Sequence, residues 1–93
     1  MNINDDDDDK KIEVVIRAAN FAAMVHRSQL RKDGSTPYIN HPIGVGHILT
    51  SIGRINDPSV IAAALLHDTV EDCDGITFDM IRQEFGEKIW LII

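Results

Sequence analysis

Apolar residues recur at helical spacing along most of the chain, beginning after a run of acidic residues. From Lys11 to about Leu30 they occupy two adjacent faces of a helix. The first face carries Ile12, Val15, Ala19, Ala22 and His26, and the second carries Val14, Ala18, Phe21 and Val25. A helix that is apolar on two faces is expected to be well buried.

The pattern breaks between Arg31 and Pro42, where glycine, proline and polar turn formers follow one another. This composition predicts an ordered loop. Pro42 suits the first position of a helix, because its missing N–H would have no partner there. The second helix is therefore predicted from Pro42 to about Ile52, with Gly53 ending it. Its predicted inward positions are Val45, Ile48, Leu49 and Ile52.

A third helix is predicted to start at Asp57 and Pro58, since an aspartate cap followed by proline is a common helix beginning. Residues 60–66 are apolar on every face. A surface helix would show a polar side, so this helix is expected to run through the centre of the fold.

Two further helices follow. Thr77 is a plausible cap for a short helix over 78–85, Gly86 is predicted to end that helix, and a last helix begins near Glu87. The last helix is cut short in an apolar end at 89–93, which is expected to continue in a longer chain, contact a partner, or drive self-association. The pattern thus predicts an all-α bundle of about five helices.

Charge divides the chain into two parts. Removing Asp5 to Asp9 from the fifteen acidic residues leaves ten, against nine lysines and arginines. We therefore expect residues 1–10 to form an acidic, disordered tail and residues 11–93 to form a nearly neutral domain. The stretch from Asp6 to Lys10 also resembles an enteropeptidase site, so a vector remnant is an alternative to a natural tail. No basic stripe is present for binding nucleic acid.

The single cysteine, Cys73, excludes an internal disulfide and is typical of a reducing compartment. No secretory signal and no apolar segment of membrane-spanning length is visible in the sequence. The expectation is a cytoplasmic protein that does not enter a membrane.

The candidate chemistry lies at the end of the apolar helix, where His67, Asp68, Glu71 and Asp72 follow one another closely. Burying an imidazole and a carboxylate without partners is costly, and a metal ion would supply the partner. At helical spacing, Glu71 would lie over His67 and Asp72 over Asp68. The alternative is that the helix surfaces here and that these side chains are ordinary solvated groups.

Residues in the preceding loop favour the metal hypothesis. His41 stands between the loop and a proline-started helix, where rigid neighbours can aim its side chain inward. Arg31 and Lys32 are suited to phosphate. Taken alone, His41 would be a capping or loop residue, and the basic pair would be solvated.

The stretches from Arg31 to Val45 and from Ala63 to Asp72 resemble the HD domain of the Rel/Spo group, closest to its animal branch of single-domain ppGpp 3′-pyrophosphohydrolases. The resemblance covers about residues 17–90. It implies that residues 11–93 are the N-terminal half of an HD hydrolase domain. It implies a stringent-response hydrolase that removes the 3′-pyrophosphate of ppGpp, with the 2′-phosphate of NADPH as a further substrate.

The same resemblance implies the roles of individual residues. His41, His67 and Asp68 would bind Mn²⁺, Glu71 and Asp72 would be catalytic, and Arg31 and Lys32 would contact the nucleotide. A mixed nitrogen and oxygen ligand set is suited to Mn²⁺.

One departure from the family pattern matters. In the family, a further Asp in a Leu-x-x-Ala-Asp-x-x-x-Asn pattern on a later helix completes the metal site, and no such segment precedes Ile93. We therefore expect a truncated chain whose three-ligand half-site binds metal weakly, and we expect full hydrolase activity only in a longer chain. Two alternatives to a ppGpp hydrolase are a non-catalytic nucleotide-binding or regulatory fragment, and an HD hydrolase of deoxynucleotides or cyclic dinucleotides.

The remaining candidates are given structural interpretations. His26 is predicted to be a core histidine, with a place behind the metal site as the alternative. His47 is predicted to be a surface residue and Trp90 a core residue. Cys73 is predicted to be an inert thiol with no nearby base.

Overall fold

The computed structural model describes residues 3–93, with side chains from Asp9 onward. Six helices form this part of the chain: α1 (Ile3–Val25), α2 (Asn40–Ser51), α3 (Pro58–Leu66), α4 (Thr69–Asp72), α5 (Phe78–Phe85) and α6 (Glu87–Ile92). The described residues contain no strand, only an isolated bridge between Leu30 and Pro37. The all-α prediction is confirmed, and the helix absent from the prediction is the single turn α4.

Helix α1 differs from its prediction at both ends. It begins at Ile3 rather than Lys11, and it ends at Val25 rather than near Leu30. Acidic residues are favourable at a helix N-terminus, where the helix dipole is positive, so the acidic run can extend the helix. Helical backbone thus occupies residues 3–10, where we predicted a disordered tail, and residues 1–2 lie outside the described part. A division between a tail and a domain at residue 10 stays a prediction.

Helix α3 lies at the centre of the fold, as predicted. Its cap is Asp57, whose carboxylate accepts a hydrogen bond of 2.9 Å from the backbone N–H of Ser59, and Pro58 occupies the first turn. Helix α3 packs against α1, α2 and α6. Its buried residues are Ile61, Ala62, Ala63, Leu65 and Leu66. The core is completed mainly by Ala18 of α1, Ile81 and Phe85 of α5, and Ile89 of α6.

The inward face of α2 is rotated from the predicted one. Ile48 and Ile52 are 54% and 77% exposed, so their assignment to the inward face is wrong. The buried residues of α2 are Pro42 and Gly46. An added Cβ at Gly46 would lie 3.9 Å from a methyl carbon of Leu65, an ordinary van der Waals distance, so the face of α2 that carries Gly46 lies against α3.

Helices α5 and α6 follow the predicted boundaries. The Thr77 hydroxyl accepts a hydrogen bond from the backbone N–H of Met80, and Gly86 separates the two helices with a φ of 94°, which favours glycine. Trp90 is only partly buried, and the Arg82 guanidinium lies 4.8 Å from its ring centre. Leu91 is 71% exposed. Self-association through this apolar end stays a prediction.

Within residues 3–93, no helix combines the length and the apolar composition that crossing a bilayer requires.

Candidate functional site

The backbone changes direction at the two residues expected to carry the chemistry. Helix α3 ends at Leu66, and Asp68 has φ −91° and ψ 0° before α4 begins at Thr69. The fully buried Thr69 hydroxyl donates a hydrogen bond of 2.7 Å to the carbonyl oxygen of Leu66. Because of this break, the two side chains differ in exposure: His67 is 65% exposed and Asp68 is 17% exposed. The expected burial of both groups is therefore wrong for the exposed His67, and Asp68 is only partly buried.

The imidazoles of His41 and His67 flank one carboxylate. The Nε2 atom of His41 lies 3.8 Å from Oδ2 of Asp68, and Nε2 of His67 lies 3.9 Å from Oδ1. All three residues line one cavity of about 260 Å³. Its apolar wall includes Val60 and Ala64, two α3 residues that are only partly buried. Two segments distant in sequence thus bring the three predicted ligands to one cavity.

The donor chemistry of this group is suited to Mn²⁺, because it offers two imidazole nitrogens and a carboxylate. The distances of 3.8 and 3.9 Å join imidazole nitrogens to carboxylate oxygens. They show that the three side chains are spread more widely than the ligands of a closed coordination shell. Among the described residues, no set of three or more histidine, cysteine, aspartate or glutamate side chains is gathered tightly enough to hold a metal ion as it stands. Metal binding by His41, His67 and Asp68 stays a prediction.

Asp72 lies close to Asp68 and shares a hydrogen-bond partner with it, whereas Glu71 does not. The Tyr38 hydroxyl lies 2.9 Å from Oδ2 of Asp68 and 3.0 Å from Oδ2 of Asp72, so both carboxylates face one hydroxyl. The backbone N–H of Asp72 also donates to the carbonyl oxygen of Asp68, which places Asp72 one turn after it. Glu71 is exposed, and its carboxylate makes no hydrogen bond or ion pair with any side chain of residues 9–93.

Tyr38 is a site residue that the sequence interpretation missed. Burial raises the pKa of its hydroxyl, and the hydrogen bonds to Asp68 and Asp72 raise that pKa further, so the hydroxyl keeps its proton. The signal was an amphipathic aromatic residue between Pro37 and His41 in an otherwise polar loop.

The surroundings of Cys73 correct another expectation. Its Sγ atom lies 3.3 Å from Nδ1 of His26, so the predicted absence of a nearby base is wrong. His26 is 1% exposed, which confirms it as a core histidine. Burial raises the pKa of the Cys73 thiol, which favours the protonated form, and low reactivity of this thiol stays a prediction.

The basic pair lies on a loop that is closed by an aspartate. The Asp33 carboxylate accepts hydrogen bonds from the backbone N–H groups of Ser35 and Thr36, each 2.9 Å long, and from the Thr36 hydroxyl. Arg31 donates its backbone N–H to the carbonyl oxygen of Thr36 at 2.7 Å. Arg31, Lys32, Asp33 and Thr36 line a second, shallow cavity. The loop therefore presents Arg31 and Lys32 from an ordered turn.

These hydrogen bonds predict a pH-dependent contribution of Asp33 to stability. They lower the pKa of Asp33 from 3.8 to about 2. A lowered pKa in the folded state stabilises the fold fully above pH 3.8, and the contribution is lost as the pH falls towards 2. Asp33→Asn is therefore expected to lower the urea midpoint at pH 5, and the difference from the wild type should shrink between pH 4 and pH 2.

Asp74→Asn is the matched control, because the exposed Asp74 carboxylate makes no hydrogen bond with other described side chains. A difference for Asp33→Asn that stays constant down to pH 2 would contradict the loop account.

Comparison with known proteins identifies the class. Residues 18–93 match the family model of the HD domain. The chain therefore belongs to the HD domain family, and the predicted resemblance is confirmed.

The similar proteins define the branch of this family more closely. The chain is 52% identical over 81 residues to guanosine-3′,5′-bis(diphosphate) 3′-pyrophosphohydrolase MESH1 of Xenopus tropicalis, covering 86% of this chain and 45% of the relative. It is 55% identical over 76 residues to MESH1 of Homo sapiens, covering 81% of this chain and 42% of that protein. The chain thus spans less than half the length of these curated relatives.

A solved structure supports the fold. It belongs to a metazoan ortholog of SpoT described as hydrolysing ppGpp, and it matches with a TM-score of 0.78 at 41% identity. The match covers 83% of this chain and 43% of that one. The arrangement of helices is therefore the one found in part of that HD-domain structure.

Proposed function

We propose that the chain carries the N-terminal part of a metal-dependent phosphohydrolase that removes the 3′-pyrophosphate of ppGpp. The observation that supports this most directly is the Asp68 carboxylate. It lies between imidazoles from two separate segments, and one hydroxyl links it to Asp72. The relatives named as ppGpp 3′-pyrophosphohydrolases support the choice of substrate.

His41, His67 and Asp68 are the proposed Mn²⁺ ligands. When bound, the ion supplies Lewis-acid polarisation of a phosphoryl oxygen and lowers the pKa of water. Asp68 is the only anion among the three, so it contributes most of the electrostatic attraction for a divalent cation.

In the proposed reaction, a water oxygen forms a bond to the phosphorus attached to O3′ of the ribose. The bond between that phosphorus and O3′ breaks, pyrophosphate leaves, and O3′ takes up a proton. Asp72 is the better placed of the two predicted catalytic carboxylates to receive the proton of water, because it lies beside Asp68. The accessible Glu71 is proposed to return a proton to O3′.

Arg31 and Lys32 are proposed to bind the phosphate groups. Guanidinium groups match phosphate oxygens in a two-pronged geometry, and a lysine adds a point charge. Both side chains are exposed, and the Asp33 turn holds their backbone in place.

The test is hydrolysis by the purified chain with Mn²⁺. The proposal predicts GDP and pyrophosphate from ppGpp, detected by chromatography and ³¹P NMR. Parallel reactions with NADPH and with a deoxynucleoside triphosphate measure hydrolysis of the other substrate classes. Asp72→Asn is expected to lower kcat by about 10²- to 10⁴-fold, the usual contribution of a proton acceptor. Nucleotide binding without turnover would contradict the hydrolase and favour a non-catalytic binding fragment.

A further inference from the structure

Tyr38 is enclosed by residues of both the proposed binding loop and the proposed metal site. Its ring stacks on the buried His26 ring, with centres 4.6 Å apart and planes inclined by 29°. The Arg31 guanidinium carbon lies 5.8 Å from the ring centre, and the His41 ring meets it edge-on at 6.1 Å. The ring therefore has neighbours that restrict its rotation.

A hydrogen-bond network supports the same ring from behind. Nδ1 of His26 lies 3.0 Å from Oε1 of Gln29, and Nε2 of Gln29 donates to the backbone carbonyl of Asp72 at 2.6 Å. Gln29 also contacts the Cys73 sulfur at 3.4 Å. The residues behind Tyr38 thus hold the backbone that carries Asp72, so the ring and the carboxylate share one rigid support.

The Tyr38 hydroxyl has one proton and two carboxylate partners. It lies within hydrogen-bond distance of Asp68 and of Asp72. A hydroxyl that shares its one proton between these two oxygens offsets part of the repulsion between two like charges and gives both carboxylates a common hydrogen-bond partner. The second oxygen of Asp68 stays directed towards His67.

From this geometry we propose that Tyr38 is a positioning residue, whose hydroxyl holds the carboxylates of Asp68 and Asp72 in the arrangement needed for metal binding and proton transfer. This inference rests on the proposed function. Outer partners that orient metal ligands typically contribute a factor of about 10 to 100 in affinity or activity.

Tyr38→Phe tests the proposal, because it removes the hydroxyl and keeps the ring between His26 and Arg31. The Mn²⁺ concentration for half-maximal activity is expected to rise by about 10- to 100-fold. At saturating Mn²⁺, kcat is expected to fall while KM for ppGpp stays near the wild-type value, since the contact between Arg31 and the ring remains. If Tyr38 had a purely structural role, Tyr38→Phe would lower thermal stability but would not lower kcat at an unchanged KM.

Ser51→Ala is the matched control. It removes an exposed hydroxyl whose only partner among the described side chains is Nδ1 of His47, 3.2 Å away. It is expected to leave Mn²⁺ dependence, kcat and KM unchanged. Equal effects of Ser51→Ala and Tyr38→Phe would contradict a specific role of Tyr38.

A measurement without metal or substrate separates this inference from the proposed function. The ¹³C NMR shifts of the Asp68 and Asp72 carboxyl carbons at neutral pH are both expected to change in Tyr38→Phe. Unchanged shifts would overturn the inference, as would a Tyr38→Phe chain with wild-type Mn²⁺ dependence and kcat. A wild-type chain that neither binds Mn²⁺ nor hydrolyses ppGpp would instead contradict the proposed function, and the carboxyl shifts would still decide whether Tyr38 links the two aspartates.

Discussion

Asp68→Asn is expected to lower kcat/KM for ppGpp by about 100-fold or more. Loss of a residue that merely orients a metal ligand already costs about 10- to 100-fold, and loss of a proposed ligand should cost at least as much. Asparagine has nearly the same volume as aspartate, so packing around residue 68 is retained. The change removes the one negative charge that both His41 and His67 face. Steady-state hydrolysis at fixed Mn²⁺ measures the effect.

Asp74→Asn is again the control for this prediction. It removes the same charge six positions further along the chain, where the carboxylate is exposed and makes no hydrogen bond or ion pair with the other described side chains. Its kcat/KM should match that of the wild type. Wild-type kcat/KM in Asp68→Asn would show that Asp68 is not a ligand needed for hydrolysis.

Leu66→Ala is expected to destabilise the fold by about 2–5 kcal/mol, the range for removing a buried leucine side chain from a packed core. Leu66 is fully buried in the last turn of α3, directly before the site. Small domains have only about 5–15 kcal/mol of stability, so the loss is a large fraction of the total. Urea unfolding followed by circular dichroism measures it.

Leu91→Ala makes the same chemical change at a side chain that is 71% exposed. Its effect on the free energy of unfolding is expected to be within about 0.5 kcal/mol. Similar losses for the two variants would contradict the central position of α3.

The parts of the fold that were predicted correctly depend on local chemistry. The caps Asp57 and Thr77 and the stop at Gly86 each act within one turn of a helix, so their residue types are sufficient. The central position of α3 follows from the absence of any polar face over residues 60–66. The family resemblance then identified the HD class, which composition and periodicity alone could not have done.

The errors in the fold arose where tertiary contacts decide. Ile48 and Ile52 share the helical spacing of a core face, but α2 meets α3 on the face that carries Gly46, and both isoleucines lie exposed. Helical periodicity identifies an apolar stripe without showing which neighbour it meets. The start of α1 was misplaced because a run of like charges was taken as unable to continue a helix.

The candidate site, like the fold, was predicted from the sequence only in part. His41, His67 and Asp68 line one cavity, as expected for residues predicted to act together. The break between α3 and α4 exposes His67 and leaves Glu71 without a partner among the described side chains, which uniform helical spacing does not predict. Tyr38 reaches Asp68 across 30 positions of sequence, and only the folded loop makes this contact evident.

The central claim is that His41, from the loop side, and the His67–Asp68 pair, from the end of α3, bind one divalent cation together. Titration of Mn²⁺ followed by electron paramagnetic resonance tests it most directly, with His47→Ala as the control for an exposed histidine of the same helix. The account predicts one bound ion in the wild type and in His47→Ala, and an affinity at least about 10-fold weaker in His41→Ala. A wild-type chain that binds no Mn²⁺, or a His41→Ala chain that binds it as tightly as the wild type, would contradict the account.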